Sequence, residues 1–333
     1  MSMEEGLVEC APVLVVGAGP AGMSCALWLH NLGLRPWLID QAGEAGGLMN
    51  ANTLPNNWVL GQIAQTGPQM ASQFARHLAS LPIRVDMGVE RFAVNRQGDA
   101  LQVAVWTTQG VVHQPCAAVV LATGTRVRGR ETLGGIPGID SIEARRVCYG
   151  PAAFENLALA AQGRTVIIGG GDNAVENAHM LLMAGGEVVL LARSEFRAQA
   201  ALMSQLIDQP RVRLLQQASV QQIEPTAAGM ALSISSPQGL ESIEAQRLHV
   251  LVGYEPNGNL EASFEAGVWS AMQHDAQGYL CVDSWGRCGA KGIYAAGDVC
   301  NPVFPNVVSA MSQGAQVAKV IERDLRLGKC LGE

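Results

Sequence analysis

Two glycine-rich turns hold the residues whose types and spacing point to chemistry. The first reads Gly17-Ala18-Gly19-Pro20-Ala21-Gly22 and the second Gly169-Gly170-Gly171-Asp172-Asn173-Ala174. Each follows an apolar, strand-like run (13–16 and 165–168) and opens an alanine-rich run suited to a helix. In such a turn the first glycine permits the bend and the second lets main chain approach a pyrophosphate. The third position, Gly22 or Ala174, lets helix and strand pack closely. The helix N-terminus then faces the anion. Two such turns in one chain predict two bound dinucleotides, and so a flavin reduced by a nicotinamide nucleotide.

The residues that follow each turn divide the two sites by chemistry. After the first, a helix over 21–32 and a strand over 37–39 lead to Asp40. An acid there accepts from ribose hydroxyls, which suits the adenosine of FAD; the plain reading is a solvated acid at a strand end. After the second, a helix over 173–183 and a strand over 188–192 lead to Arg193-Ser194-Glu195-Phe196-Arg197, with no acid at the strand end. Arginine there accommodates a 2′-phosphate. Four apart, Arg193 and Arg197 share a face if the segment is a helical turn. The expectation is NADPH, with NADH serving equally if these arginines are only solvated.

These sites need α/β elements to hold them. A hairpin pairs 103–107 with 111–114. A buried strand over 117–122 closes at Ala122-Thr123-Gly124. A short strand precedes Gly297-Asp298, and a helix runs over 307–323. A carboxylate at Asp298 can accept from a ribityl hydroxyl, and the helix N-terminus behind it suits the electron-rich pyrimidine edge of a reduced flavin. The second glycine unit is bracketed by the 126–138 linker and by 248–256. The fold class is therefore α/β, with two Rossmann-like, three-layer dinucleotide-binding domains. The NAD(P)H domain (128–247) is inserted into a discontinuous FAD domain (10–127 and 248–333).

Bulk properties agree with two packed domains. The chain has 333 residues, 48% of them apolar and 15% charged, which suits large cores. A net charge of −7 argues against a nucleic-acid partner. Apolar runs are too short for a membrane span, and residues 1–10 lack the apolar stretch of a signal peptide, so a cytoplasmic enzyme is expected. The cysteines (Cys10, Cys25, Cys116, Cys148, Cys281, Cys288, Cys300, Cys330) show neither C-x-x-C nor zinc spacing and read as free thiols. The histidines, scattered along the chain, read as structural, and no metal site is expected.

The ordered set of motifs resembles the low-molecular-weight thioredoxin reductase family and its thiol-free relatives, the thioredoxin reductase-like ferredoxin/flavodoxin–NADP reductases. The set runs through 17–22, Gly46-Gly47, Asn57-Trp58, Thr66-Gly67-Pro68, Ala122-Thr123-Gly124 and 169–174. It continues through 193–197, Gly253-Tyr254-Glu255-Pro256-Asn257 and Gly297-Asp298. The resemblance implies a flavin set of Gly17, Gly19, Pro20, Ala21, Gly22, Asp40, Gln41, Gly46, Gly47, Leu48, Asn57, Ala122, Thr123, Gly124, Gly297, Asp298, Asn306 and Val307. Asn57 would lie near the reactive edge of the ring, and Met49 stands at or beside a position often polar in relatives. The NADPH set is Gly169, Gly171, Asp172, Asn173, Ala174, Arg193 and Arg197. The resemblance also implies a homodimer.

One departure decides the expected chemistry. Thioredoxin reductases carry a C-x-x-C just before the second glycine turn, whereas this chain reads Cys148-Tyr149-Gly150-Pro151. One sulfur cannot form the disulfide that a dithiol relay needs, so thioredoxin reduction is not expected. Segment 154–164 resembles the thiol-free branch, with a helix before the strand. That branch covers its flavin with a C-terminal aromatic or histidine, which the tail 327–333 lacks, so an open flavin face is expected. NADPH is expected to pass a hydride to the flavin with no side-chain acid or base required; no catalytic residue is named. The first expectation for the acceptor is a ferredoxin or flavodoxin-like carrier, steered by Arg126, Arg128, Arg130, Arg145 and Arg146. The second is a small molecule such as a quinone or free flavin, and the third is a flavin-bound sensor without turnover.

Overall fold

Short runs of Val, Leu and Ile with both faces apolar form the central strands of two parallel sheets. The computed structural model describes residues 11–151, 157–257 and 260–328, with Leu159 by its backbone alone. The chain divides into two units, Met1–Arg126 with Glu255–Glu333, and Val127–Tyr254. In the first unit the sheet order is Ile293–Ala295, Ala118–Leu121, Val13–Val16, Pro36–Asp40, Arg84–Met87, all parallel. In the second it is Val147–Tyr149, Arg247–Val250, Arg164–Ile168, Glu187–Leu191, Val212–Leu215, again all parallel. In both, the strand before the glycine turn lies at the centre.

Alternation along these strands builds three layers. Val13 and Val15 face helices Pro20–Asn31 and Val307–Arg326, while Leu14 and Val16 face an antiparallel sheet of Arg91–Gln97, Ala100–Thr107 and Gly110–Cys116. In the second unit Ile167 faces helix Asp172–Met183. Val166 and Ile168 face the antiparallel strands Ser219–Pro225, Met230–Ser236 and Gly239–Ala245. The expected return to the first unit at 248 moves to 255. Arg247–Val250 is an inner strand of the second sheet, paired on both sides. Of the expected 154–164 helix, Leu157–Ala160 is observed; 154–156 lie outside the described residues, as do 1–10 and 329–333.

One buried ion pair ties the last helix to the sheet. Asp324, 1% exposed, accepts from Arg287 Nε and Nη2, both at 2.8 Å, and from Tyr294 Oη at 3.0 Å. Burial pushes its carboxyl up, but the bonds from Arg287 and Tyr294 outweigh this and hold it below the usual range. Its contribution is therefore complete above the unfolded-state pKa and is lost as pH falls through the lower folded value. Arg287→Ala leaves the carboxylate buried without its guanidinium, at a cost of about 3 kcal/mol. Chemical denaturation followed by circular dichroism checks this. Acid unfolding of the variant should begin at a higher pH, and the Arg287→Leu, Asp324→Leu pair should cost less than Arg287→Ala alone.

Candidate functional site

In the first unit the fold gathers the candidate flavin residues at the carboxyl ends of the strands, where ligands of open α/β sheets bind. Gly17 has a φ of 109°, and a Cβ there would lie 2.3 Å from the Ala122 carbonyl oxygen. A Cβ on Gly22 would lie 1.8 Å from the Gly17 carbonyl oxygen. Pro20 opens the helix, where its missing N–H costs nothing. Asp40 accepts from Ala18 N at 2.5 Å and Ala42 N at 2.7 Å; both oxygens keep lone pairs for a ribose. Gly46 N donates to Ala18 O, which brings Gly47 against Gly19. Gly297 packs on Ala21, where a Cβ would come within 2.7 Å of the alanine methyl, and its N–H donates to Gln313 Oε1.

Gly19 differs from these neighbours. Its φ is −76°, open to any residue, and a Cβ would meet nothing within 4 Å. Nothing in the protein demands glycine there, whereas a pyrophosphate at the helix N-terminus would. Two buried polar atoms also lack partners among the described residues, Thr123 Oγ1 and Asp298 Oδ1. Burial pushes the Asp298 carboxyl up to about 6. These are the acceptor and hydroxyl that a sugar-alcohol chain would satisfy, so the residues present fit FAD. Asn306 caps helix Val307–Arg326 by accepting from Ser309 N at 2.9 Å, which leaves the amide of Val307 in the first turn without a helical partner.

Other candidates lie outside this cluster. Gln41 and Leu48 are exposed. Asn57 accepts from Ala64 N at 3.2 Å and so closes its own exposed loop, which carries Trp58 at 74% exposure. Met49, by contrast, is buried. Its carbonyl oxygen would sit 2.0 Å from a Cβ on Gly67, which explains the glycine of Thr66-Gly67-Pro68. Thr66 and Gln69 form a capping box for helix Gly67–Ala79.

The second unit holds a cavity of about 240 Å³ at the carboxyl ends of four neighbouring strands. Its walls include the turn 169–174, Arg193, Arg197, Pro151 and Tyr254. Gly171 repeats the logic of Gly19: φ is −100° and a Cβ would meet nothing within 4 Å. Ala174 stands where Gly22 stands in the first turn, because its methyl is accommodated there, 3.0 Å from the Cβ position of Gly169. Asn173 Nδ2 donates to Tyr254 Oη at 3.1 Å. Residues 192–199 form bends and not the expected helical turn. Both guanidiniums nevertheless line the cavity, and neither is in an ion pair among the described residues. The cavity therefore fits an anionic nucleotide. Tyr254, Gln199 and Gln313 escaped the sequence reading. Tyr254 alone carried a signal, in the 253–257 motif.

Two predictions follow from these environments. Asp298→Asn removes a carboxylate whose folded pKa is raised, so in flavin-free protein its stabilising effect should grow between about pH 4 and 6 and level off above. It should reach on the order of 2 kcal/mol, while FAD affinity falls about tenfold; urea titrations across pH and flavin release check both. Gly19→Ala and Gly171→Ala should each cost about 1 kcal/mol or less in folding. Gly19→Ala should purify colourless. Gly171→Ala should stay yellow but lose reduction by nicotinamide nucleotide. Absorbance spectra with anaerobic titration check these outcomes.

Known proteins of this build place the two sites in context. The chain is 28% identical over 313 residues to an NADH dehydrogenase of Ferdinandcohnia aciditolerans, covering 92% of this chain and 56% of that protein. It is 27% identical to an alkyl hydroperoxide reductase of Pseudomonas aeruginosa, with the same coverage. It therefore spans just over half the length of these two relatives. A thioredoxin reductase of Streptomyces coelicolor is 27% identical, over 92% of this chain and 91% of its own. The fold matches Lactococcus lactis thioredoxin reductase with a TM-score of 0.80 at 23% identity, over 95% and 99% of the two chains. No helix among the described residues is long and apolar enough to cross a membrane. The model of the pyridine nucleotide-disulphide oxidoreductase family matches residues 11–314, and the chain belongs to that family of FAD- and NAD(P)H-dependent oxidoreductases.

Proposed function

We propose that this chain is an FAD-dependent NADPH oxidoreductase that works without a redox-active dithiol and delivers electrons to a small-molecule acceptor. One observation carries the first part. Cys148 lies in strand Val147–Tyr149, and the position where a second sulfur would complete a dithiol is Pro151, in the wall of the nucleotide cavity. Burial raises the Cys148 thiol, which keeps it protonated and unreactive. When bound, the flavin supplies the ring that accepts hydride. The chain's own part is to hold a pyrophosphate at each glycine turn, bond the sugars through Asp40 and Asp298, and offer Arg193 and Arg197 to a 2′-phosphate.

The choice of acceptor rests on charge. The arginines expected to steer an acidic ferredoxin or flavodoxin are already engaged. Arg126 pairs with Glu255 at 2.6 Å, Arg130 with Asp140, Arg145 with Glu143 at 2.5 Å, and Arg146 with Glu143 at 3.7 Å. Arg128 Nε donates to the Tyr254 carbonyl oxygen. Compensated charges steer weakly, so these residues favour an uncharged or small acceptor over a carrier.

Steady-state assays with NADPH and a panel of quinones, free flavins, ferredoxin, flavodoxin and thioredoxin test the reading. Turnover with a quinone or flavin should be unchanged in Cys148→Ser, and thioredoxin should not be reduced. Turnover that requires ferredoxin or flavodoxin would assign the carrier role, and loss of turnover in Cys148→Ser would restore a thiol to the pathway.

A further inference from the structure

Arg193 and Arg197 share no regular element, so their common placement needs another cause. We infer that Asp172 and Gln199 form a latch that fixes the 193–199 loop over the second glycine turn and thereby sets selectivity for a nucleotide with a 2′-phosphate. This deepens the NADPH reading above and rests on it. Asp172 is the first residue of helix Asp172–Met183, where the helix dipole favours a carboxylate. Its two oxygens accept from Gln199 N and Gln199 Nε2, both at 2.8 Å. The Gly170 carbonyl oxygen accepts from Arg197 N at 2.7 Å and Ala198 N at 3.1 Å. Phe196 packs into the helix-side core. Four hydrogen bonds thus fasten the loop to the turn where the pyrophosphate would lie.

The latch matters because of what it leaves unpaired. The guanidiniums of Arg193 and Arg197 have no ion-pair partner among the described residues and stand in the cavity wall. Two like charges on a free loop would drift apart, and gathering them would weaken binding by the entropy lost. A loop already fastened presents both at once. Asp172 therefore acts as a positioning residue, through Gln199, and not by touching the nucleotide. Only the 2′-phosphate reads the arginines, so loosening the latch weakens NADPH selectively.

The test is anaerobic stopped-flow reduction of the purified flavoprotein by NADPH and by NADH, with Arg193→Ala, Arg197→Ala as the floor. Gln199→Ala should weaken NADPH about fivefold, one hydrogen bond's worth, and leave NADH and the limiting reduction rate unchanged. Amide exchange at Arg197 and Ala198 should quicken. The exchange of groups in Asp172→Asn, Gln199→Glu rebuilds the bonds and should recover selectivity, whereas Asp172→Asn alone should not. Equal weakening of both nucleotides in Gln199→Ala, or an unchanged ratio, would overturn the latch. Wild-type protein that reduces equally with both nucleotides would instead overturn the NADPH reading beneath it, and the unchanged exchange rates or their quickening would still decide whether the latch exists.

Discussion

A pyrophosphate seated on a helix N-terminus needs main chain where a side chain would otherwise stand. That constraint is met twice, at Gly19 and Gly171, and it separates two kinds of glycine in each turn. Gly17, Gly22 and Gly169 are fixed by the protein itself, since a Cβ on any of them would strike backbone within 2.5 Å. Gly19 and Gly171 have ordinary φ angles and empty space in place of a neighbour. Fold accounts for the first kind and a ligand for the second. The helices and parallel strands around each turn can be read as the means of aiming several free N–H groups at one point.

Charge is divided in the same way. Arg126, Arg130, Arg145, Arg146 and Arg287 are each paired with a carboxylate. Their fields are largely cancelled at a distance, whatever their number in the sequence suggests. Arg193 and Arg197 are uncancelled and stand in a cavity wall. A sequence shows where positive residues are dense, but the density of the 126–146 segment misleads, because Glu143, Asp140 and Glu255 return to it through folding. The two isolated arginines carry more of the electrostatics of recognition than the five clustered ones.

Much of the architecture was legible because its signals are local. The apolar runs before each glycine turn, the hairpin around Gly110 and the helix after Asn306 depend on period and on turn chemistry that neighbouring residues supply. The errors come from non-local pairing. Leu248-His249-Val250 looks like any buried strand, and only its partners Val147–Tyr149 and Arg164–Ile168 assign it to the second unit. The 193–199 segment has helical spacing, yet hydrogen bonds to Gly170 and Asp172 draw it into bends. Gln199 and Gln313 act on main chain or side chains 27 and 16 residues away, and no pattern marks them.

Asp298 shows why a site of this kind conflicts with the stability of its own fold. The carboxylate follows strand Ile293–Ala295, beside the end of Ala118–Leu121 where Thr123 stands. Both side chains bury an oxygen without a partner, which ordinarily costs about 1 to 3 kcal/mol each on the scale of unmade hydrogen bonds. Repacking with apolar groups would relieve that cost and abolish the recognition. The raised carboxyl of Asp298 is the signature of the conflict, since burial alone accounts for it. A ligand offering hydroxyl donors converts the same atoms into paired ones. Folding and cofactor binding are thereby linked, because any molecule that binds only the native state shifts the folding equilibrium by mass action. The strain is placed where that linkage is strongest, at the carboxyl ends of the two strands that carry these unpaired atoms.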